Sequence, residues 1–128
     1  MLTQYRMNVS WAKTMRKRAG AYIKALREES KQTQQEVSHK MGWTYYTMVS
    51  QIERGLARVP PEDVPGLASV LGVDSAEFAK KLLYYYDPYT YHSIFGGRHP
   101  LDQEELPKER ATREGYRGVR NPDGEGEE

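Results

Sequence analysis

Residues 45–51 carry side chains that could hydrogen-bond to the edges of nucleic-acid bases. In a helix predicted there, the outward-facing residues are Tyr45, Tyr46, Thr47, Ser50 and Gln51. They are donors, acceptors and flat rings with no carboxylate among them, and the major groove of DNA presents a matching pattern of donors and acceptors. Cations flank this segment and are expected to contact phosphate; they are Lys40, Arg54 and Arg58.

No catalytic constellation accompanies these residues. The chain has no Cys, and its three His residues do not have the spacing of metal ligands. It also lacks a glycine-rich loop of the kind that cradles phosphate. We therefore expect no enzyme activity, no cofactor and no metal site.

Charge is unevenly distributed along the chain, although the formal net charge is only +1. Residues 1–60 carry 11 Lys and Arg against 4 Asp and Glu, whereas residues 61–96 and 97–128 are each net acidic. A basic half indicates a polyanionic partner, with a solvated helical face as the alternative. No apolar run reaches the roughly 18 residues of a membrane span, and the N-terminus does not resemble a signal peptide. We expect a cytoplasmic, nucleoid-associated protein that binds double-stranded DNA and no membrane.

The elements that must position these side chains are predicted to be helices only. A first helix begins after Ser10, whose hydroxyl could cap it, and ends near Glu29. Gly20 lies within this helix and would allow close packing, and the face opposite the apolar one is basic. The apolar face, with spacings of three and four, consists of Trp11, Met15, Ala19, Tyr22, Ile23 and Leu26.

Two short helices joined by a turn follow. Thr33 and Glu36 have the spacing of a capping box, and Gly42 is a natural helix end. The next helix is predicted from Thr44 to Arg54, before Gly55. Residues 33–54 thus form a helix-turn-helix, whose second helix can lie in a major groove.

The rest of the chain divides into two more helices, an aromatic segment and a charged tail. Pro65 either begins the fourth helix or kinks it, and Asp74 caps the fifth, which ends near Tyr86. The aromatic residues of 89–95 are expected to pack on the domain or on a partner. The predicted organisation is an arm at 1–9, a domain at 10–96, and a tail at 97–128 that is mobile without a partner.

Residues 22–73 resemble the XRE family, the helix-turn-helix regulators of the Cro and lambda-repressor type. The matching segments are IKALR (23–27), TQQEV (33–37), SQIERG (50–55) and LASVLGV (67–73). The resemblance implies an all-α fold, a compact five-helix bundle. It also implies homodimers on palindromic operators, as in many members.

The resemblance further implies roles for single residues. Gln34 would contact a phosphate; Tyr46, Thr47 and Gln51 would read bases, with the outward Ser50 beside them. Arg27 and Glu53 match a pair that often forms a buried structural salt bridge. Gly42 to Gly55 spans 14 residues, one more than is usual, so the register is kept from SQIERG. Thr44 and Tyr45 then lie beside the extra residue, where we assign them to phosphate contact.

Some residues keep a second interpretation. Tyr45 and Tyr46 could pack in the core or in a dimer interface, and Trp43 is expected to pack in the turn. For the whole chain we expect a sequence-specific regulator, by default a repressor that occupies its operator as a homodimer. One alternative is an activator that contacts RNA polymerase through the C-terminal segment. The other is an antitoxin-like or antiactivator-like module that binds a regulatory protein.

Overall fold

A computed structural model describes residues 9–96, which form helices and no strand. The all-α prediction is confirmed. The expected tail at 97–128 and the arm, except for Val9, lie outside the described residues. The helices are α1 (Val9–Glu29), α2 (Gln34–Met41), α3 (Thr47–Glu53), α4 (Val64–Leu71), α5 (Ser75–Tyr86) and α6 (Pro88–Phe95), with a 3-10 turn at Pro61–Asp63 before α4.

Local capping explains where several helices begin and end. The Thr33 hydroxyl accepts a hydrogen bond from the Glu36 amide (3.0 Å), and the Glu36 carboxylate accepts one from the Thr33 amide (2.8 Å). This confirms the predicted capping box. Gly42 ends α2 in the left-handed conformation (φ 74°). Pro65 lies in the first turn of α4, where its missing N–H costs nothing; of the two alternatives, the structure therefore shows the helix start and no kink.

Two boundary predictions were wrong, and one further helix was not predicted. Ser10 does not cap α1, because Val9 is already helical. Helix α3 begins at Thr47 instead of Thr44, because residues 42–46 form the turn. A sixth helix extends the expected five, since the Asp87 carboxylate accepts a hydrogen bond from the Thr90 amide (3.2 Å) and Pro88 starts α6.

Two apolar groups hold the helices together. The main core packs the five helices α1, α2, α3, α4 and α5 together and is mostly aliphatic. Its buried members include Ile23, Val37, Val49, Ile52, Leu67, Leu71, Phe78 and Leu82. The aromatic cluster consists of buried Trp11, Met15 and Tyr84, with Tyr85 and Tyr91 packed against them. It joins the first half of α1 to the end of α5 and to α6.

Close approach of α1 and α3 depends on two glycines. A Cβ on Gly20 would lie 2.2 Å from the carbonyl oxygen of Glu53, at the last turn of α3. Gly55 has φ of 79°, and a Cβ there would lie 2.9 Å from the Cα of Lys17. The predicted close packing at Gly20 is therefore confirmed, and it fixes the end of α3 on α1.

Candidate nucleic-acid interface

The turn between α2 and α3 is fixed by one buried hydroxyl. Ser38 donates a hydrogen bond to the Tyr45 carbonyl (2.9 Å), and its own carbonyl accepts one from the Trp43 amide (3.0 Å). Trp43 packs against the main core, as predicted. Because Ser38 holds both ends of the turn, the extra residue there delays the start of α3. Sequence reasoning missed Ser38, and its only signal was a small polar residue beside the core position Val37.

The exposed face of α3 carries the four residues predicted to read bases. Thr47 and Gln51 are exposed and lie one helical turn apart, and Tyr46 and Ser50 form a parallel pair beside them. Tyr46 precedes the helix and is 48% exposed, whereas Ser50 is half-buried. The opposite face of α3 is buried in the main core through Val49 and Ile52. The structure thus brings the four side chains onto one surface.

Thr44 and Tyr45 lie in the turn just before that face. Thr44 is exposed, and Tyr45 is 71% exposed. With Tyr46 also exposed, the core-packing interpretation of the two tyrosines is wrong. Their rings are free to contact either DNA or a second protein surface.

The phosphate candidates of α2 already have polar partners in the protein. Gln34 donates to the Glu53 carboxylate (2.9 Å), and the Lys40 ammonium donates to the Gln32 side-chain oxygen (2.7 Å). Gln34 is half-buried and Lys40 is exposed, so both lie at the protein surface. Each side chain is held in place and keeps N–H groups beyond the one used.

Two further phosphate candidates, Arg54 and Arg58, follow the C-terminal end of α3. Arg54 is exposed at its C-terminal cap. Arg58 is exposed in the following loop and donates a hydrogen bond to the Tyr86 carbonyl (3.0 Å). The six phosphate candidates therefore fall into three pairs: one on α2, one in the turn before α3 and one beyond the end of α3.

A buried ion pair connects α1 to the end of α3. Arg27 Nε lies 2.6 Å from Glu53 Oε2, and Arg27 Nη2 donates to Glu53 Oε1 (3.1 Å). The side chains are only 11% and 3% exposed, respectively. The hydrogen bonds to Glu53 raise the pKa of Arg27 against the opposing effect of burial. Two parallel N–H···O bonds of this kind are both strong and geometrically specific.

Gln32 extends this network and was missed by sequence reasoning. Its carbonyl accepts a hydrogen bond from Arg27 Nη1 (2.8 Å), and its side-chain amide donates to the Val70 carbonyl of α4 (2.8 Å). Together with the Lys40 bond, these contacts join α1, α2 and α4 around one residue. Gln32 precedes the capping box, and no periodic pattern marks it.

The basic face of α1 is only partly solvated. Lys13, Lys17 and Lys24 are exposed, whereas Arg16 and Arg18 are half-buried.

Within residues 9–96, no group of three His, Asp or Glu side chains is placed to hold a metal ion. None of the helices in that range is long and apolar enough to cross a membrane.

One comparison with known proteins matches part of the chain. Residues 18–80 match a family model described as a helix-turn-helix domain. The match begins within α1 and ends within α5, so it includes α2, the turn and α3 and leaves out α6. No curated protein and no solved structure matches the chain.

Proposed function

We propose that the helix-turn-helix domain of residues 18–80 binds double-stranded DNA sequence-specifically and regulates transcription. The observation that carries this proposal is the exposed polar face of α3 on a helix whose other face is buried. Tyr46, Thr47, Ser50 and Gln51 would contact base edges in the major groove, where hydroxyl and amide groups distinguish base pairs. The XRE-like segments named above support assignment to that family.

Contacts to phosphate would set the position of α3 on the duplex. Gln34 and Lys40 of α2 would contact one side of the groove, with Thr44 and Tyr45 of the turn beside them. Arg54 and Arg58 would contact the other side, because they lie beyond the opposite end of α3. Such contacts give affinity and register but carry no sequence information themselves.

The buried Arg27–Glu53 pair would hold the start of α2 next to the end of α3. Glu53 accepts hydrogen bonds from Arg27 of α1 and from Gln34 of α2. One carboxylate at the end of α3 therefore fixes the phosphate candidate at the start of α2. Pre-organisation of this kind lowers the entropy lost when a complex forms.

A homodimer acting as a repressor is the form of regulation we propose. Two copies would place their α3 helices in successive major grooves, roughly 34 Å apart, on a palindromic operator. Occupation of a promoter would then exclude the polymerase. An activator or a protein-binding module would instead use the C-terminal part of the chain. The exposed Ile94 (62%) and Phe95 (48%) at the end of α6 favour some protein contact there.

Selection of genomic DNA fragments by the purified chain, at about 0.15 M salt, tests the proposal. We expect the sequenced fragments to share a palindromic motif upstream of genes. A reporter placed behind that motif should be repressed by the protein. Retention without a shared motif would contradict sequence-specific binding, and an activated reporter would contradict repression.

A further inference from the structure

Arg58 is held by the last residue of α5, outside the matched domain. Its guanidinium donates to the Tyr86 carbonyl (3.0 Å), and its Cζ lies 4.9 Å from the centre of the Tyr86 ring. The neighbouring Val59 amide donates to the Tyr86 hydroxyl (3.4 Å). Tyr86 therefore holds two successive residues of the loop through its backbone, ring and hydroxyl.

The contact has a clear physical basis. The last carbonyls of a helix have no partner within the helix and lie at the negative end of its dipole, where a cation is stabilised. A planar guanidinium can bond to such a carbonyl and stack on an aromatic ring at once. Tyr86 supplies both groups, and lysine at position 58 could not use them in the same way.

The loop that carries Arg58 is folded back onto α3. The amides of Leu56 (2.8 Å) and Ala57 (3.3 Å) both donate to the Gln51 carbonyl. Gln51 is also the last of the base-reading candidates. The position of Arg58 is therefore fixed from two directions, by the contacts of its loop with the backbone of α3 and by its own contacts with Tyr86 of α5.

Arg58 keeps most of its capacity to bind an anion. Its side chain is exposed, and a guanidinium has five N–H donors, of which the Tyr86 carbonyl uses one. Burial raises the pKa of the Tyr86 hydroxyl, while the Val59 hydrogen bond and the positive charges of Arg58 and Arg16 lower it. Two cations thus lie near this tyrosine.

We propose that Tyr86 is a positioning residue for DNA binding, which holds Arg58 ready to contact a phosphate beside the groove that α3 enters. The inference rests on the proposed function and extends it to α5 beyond the matched residues. An arginine ordered in advance loses less rotamer freedom on binding, an advantage of about 3- to 10-fold in Kd.

The test measures binding of the full chain to a fluorescein-labelled duplex of mixed sequence, about 24 base pairs long, between about 50 and 200 mM salt. Arg58→Ala should lower the slope of log K against log salt by about 0.9, because one phosphate contact is lost. Tyr86→Leu should weaken binding about 3- to 10-fold. The double variant should bind no more weakly than Arg58→Ala, since Tyr86 acts through Arg58.

Two controls separate this role from stability and from net charge. Tyr86→Phe keeps the ring that stacks on the Arg58 guanidinium and loses only the hydroxyl that contacts Val59, so its affinity should lie much closer to that of the wild type than the affinity of Tyr86→Leu does. Like Arg58→Ala, Lys81→Ala removes a cation that lies over a tyrosine ring. The Lys81 ammonium lies over other rings than that of Tyr86, 5.8 Å from the Tyr22 centroid and 5.6 Å from the Tyr85 centroid. Lys81→Ala should leave the slope unchanged.

An unchanged slope for Arg58→Ala, or additive losses in the double variant, would overturn the inference. If circular dichroism shows that Tyr86→Leu does not fold, Arg58→Lys takes its place. That variant keeps the charge and the slope but should bind about 3- to 10-fold more weakly, and wild-type affinity would refute positioning. A wild-type chain that binds no duplex would refute the proposed function as well, whereas binding with unaffected variants would refute only this inference.

Discussion

The main core and the aromatic cluster hold the same helix, α1, by different means. The main core uses aliphatic side chains, two glycines at the α1–α3 crossing and the buried Arg27–Glu53 pair. The aromatic cluster uses rings, such as Tyr84 against Tyr91 with centroids 5.2 Å apart. Lysines also lie over rings of α1, α5 and α6, with Lys80 4.6 Å from the Phe95 centroid.

The difference concerns how tightly each region fixes its geometry. At the α1–α3 crossing the two backbones lie so close that only glycine fits, and the Arg27–Glu53 pair is largely shielded from water. Neither arrangement tolerates much displacement. Rings at tilted angles with partly exposed edges tolerate more. We therefore expect the main core to hold the proposed DNA-binding surface rigidly, while the aromatic cluster opens more readily.

Loss of the buried ion pair should produce the largest effect on stability. Arg27→Ala leaves the Glu53 carboxylate buried without its main partner, at a cost of about 3–5 kcal/mol in the free energy of unfolding. Replacement of both residues by Met should recover most of that loss, because no charge is then stranded. Urea unfolding measures both variants, and wild-type stability in Arg27→Ala would refute the role of the pair.

The helix crossing offers the next largest effect. In Gly20→Ala the new Cβ would meet the Glu53 carbonyl oxygen at 2.2 Å, so α1 and α3 must separate. We expect a loss of about 3 kcal/mol, the upper range for overpacking. Gly66→Ala is the matched control, since its Cβ would meet only the Met41 side chain, with Cε at 3.6 Å and Sδ at 3.9 Å, both ordinary contacts. It should be neutral or slightly stabilising in thermal melts of both variants, because Ala favours the helix more than Gly does. Equal losses in the two variants would contradict the claim that the close α1–α3 crossing causes the effect.

The aromatic cluster should respond locally. Tyr91→Ala removes ring contacts with Tyr84 (5.2 Å) and Phe95 (4.8 Å), worth about 1–2 kcal/mol in total. Hydrogen exchange should show faster exchange in α6 with little change in α2 and α3. Equal loss of protection in all helices would contradict the division into a rigid and a more open region.

Alkaline pH should give the smallest effect, at the residue that links the two regions. Tyr22 packs on Phe78 of the main core (6.0 Å) and on Tyr85 of the aromatic cluster (6.2 Å). Burial, then Tyr85 and Glu77, raises the pKa of its hydroxyl above 10.0. Folding therefore favours the neutral hydroxyl, and this stabilisation is present below pH 10.0 and disappears as the pH rises through the folded pKa.

Urea unfolding at about pH 8 and about pH 11 measures this dependence. The free energy of unfolding should fall between the two values, and Tyr22→Phe should show a smaller fall. An identical fall in the variant would mean that other groups cause it.

Local signals in the sequence predicted both ends of α2, because these ends depend on residues close together in the chain. Thr33 and Glu36 fixed the start of α2, and Gly42 fixed its end. The Arg27–Glu53 pair joins residues 26 positions apart, yet it was anticipated because the resemblance implied it.

Three features were missed for different reasons. The start of α3 depends on the Ser38–Tyr45 hydrogen bond across the turn, which no propensity reports. The sequence Asp87-Pro88 indicated only a break, although Asp before Pro is also a typical helix start and could have revealed α6. The role of Tyr86 depends on a contact 28 residues away with Arg58, so spacing alone could not predict it.

The most direct test of base reading by α3 compares wild type and Gln51→Ala on the selected motif and on each of its single-base variants. We predict that Gln51→Ala loses about 1–3 kcal/mol on the motif and no longer discriminates at one base position. Lys40→Ala should weaken binding uniformly and reduce the salt slope by about 1. A loss for Gln51→Ala that is equal on every sequence would contradict the account.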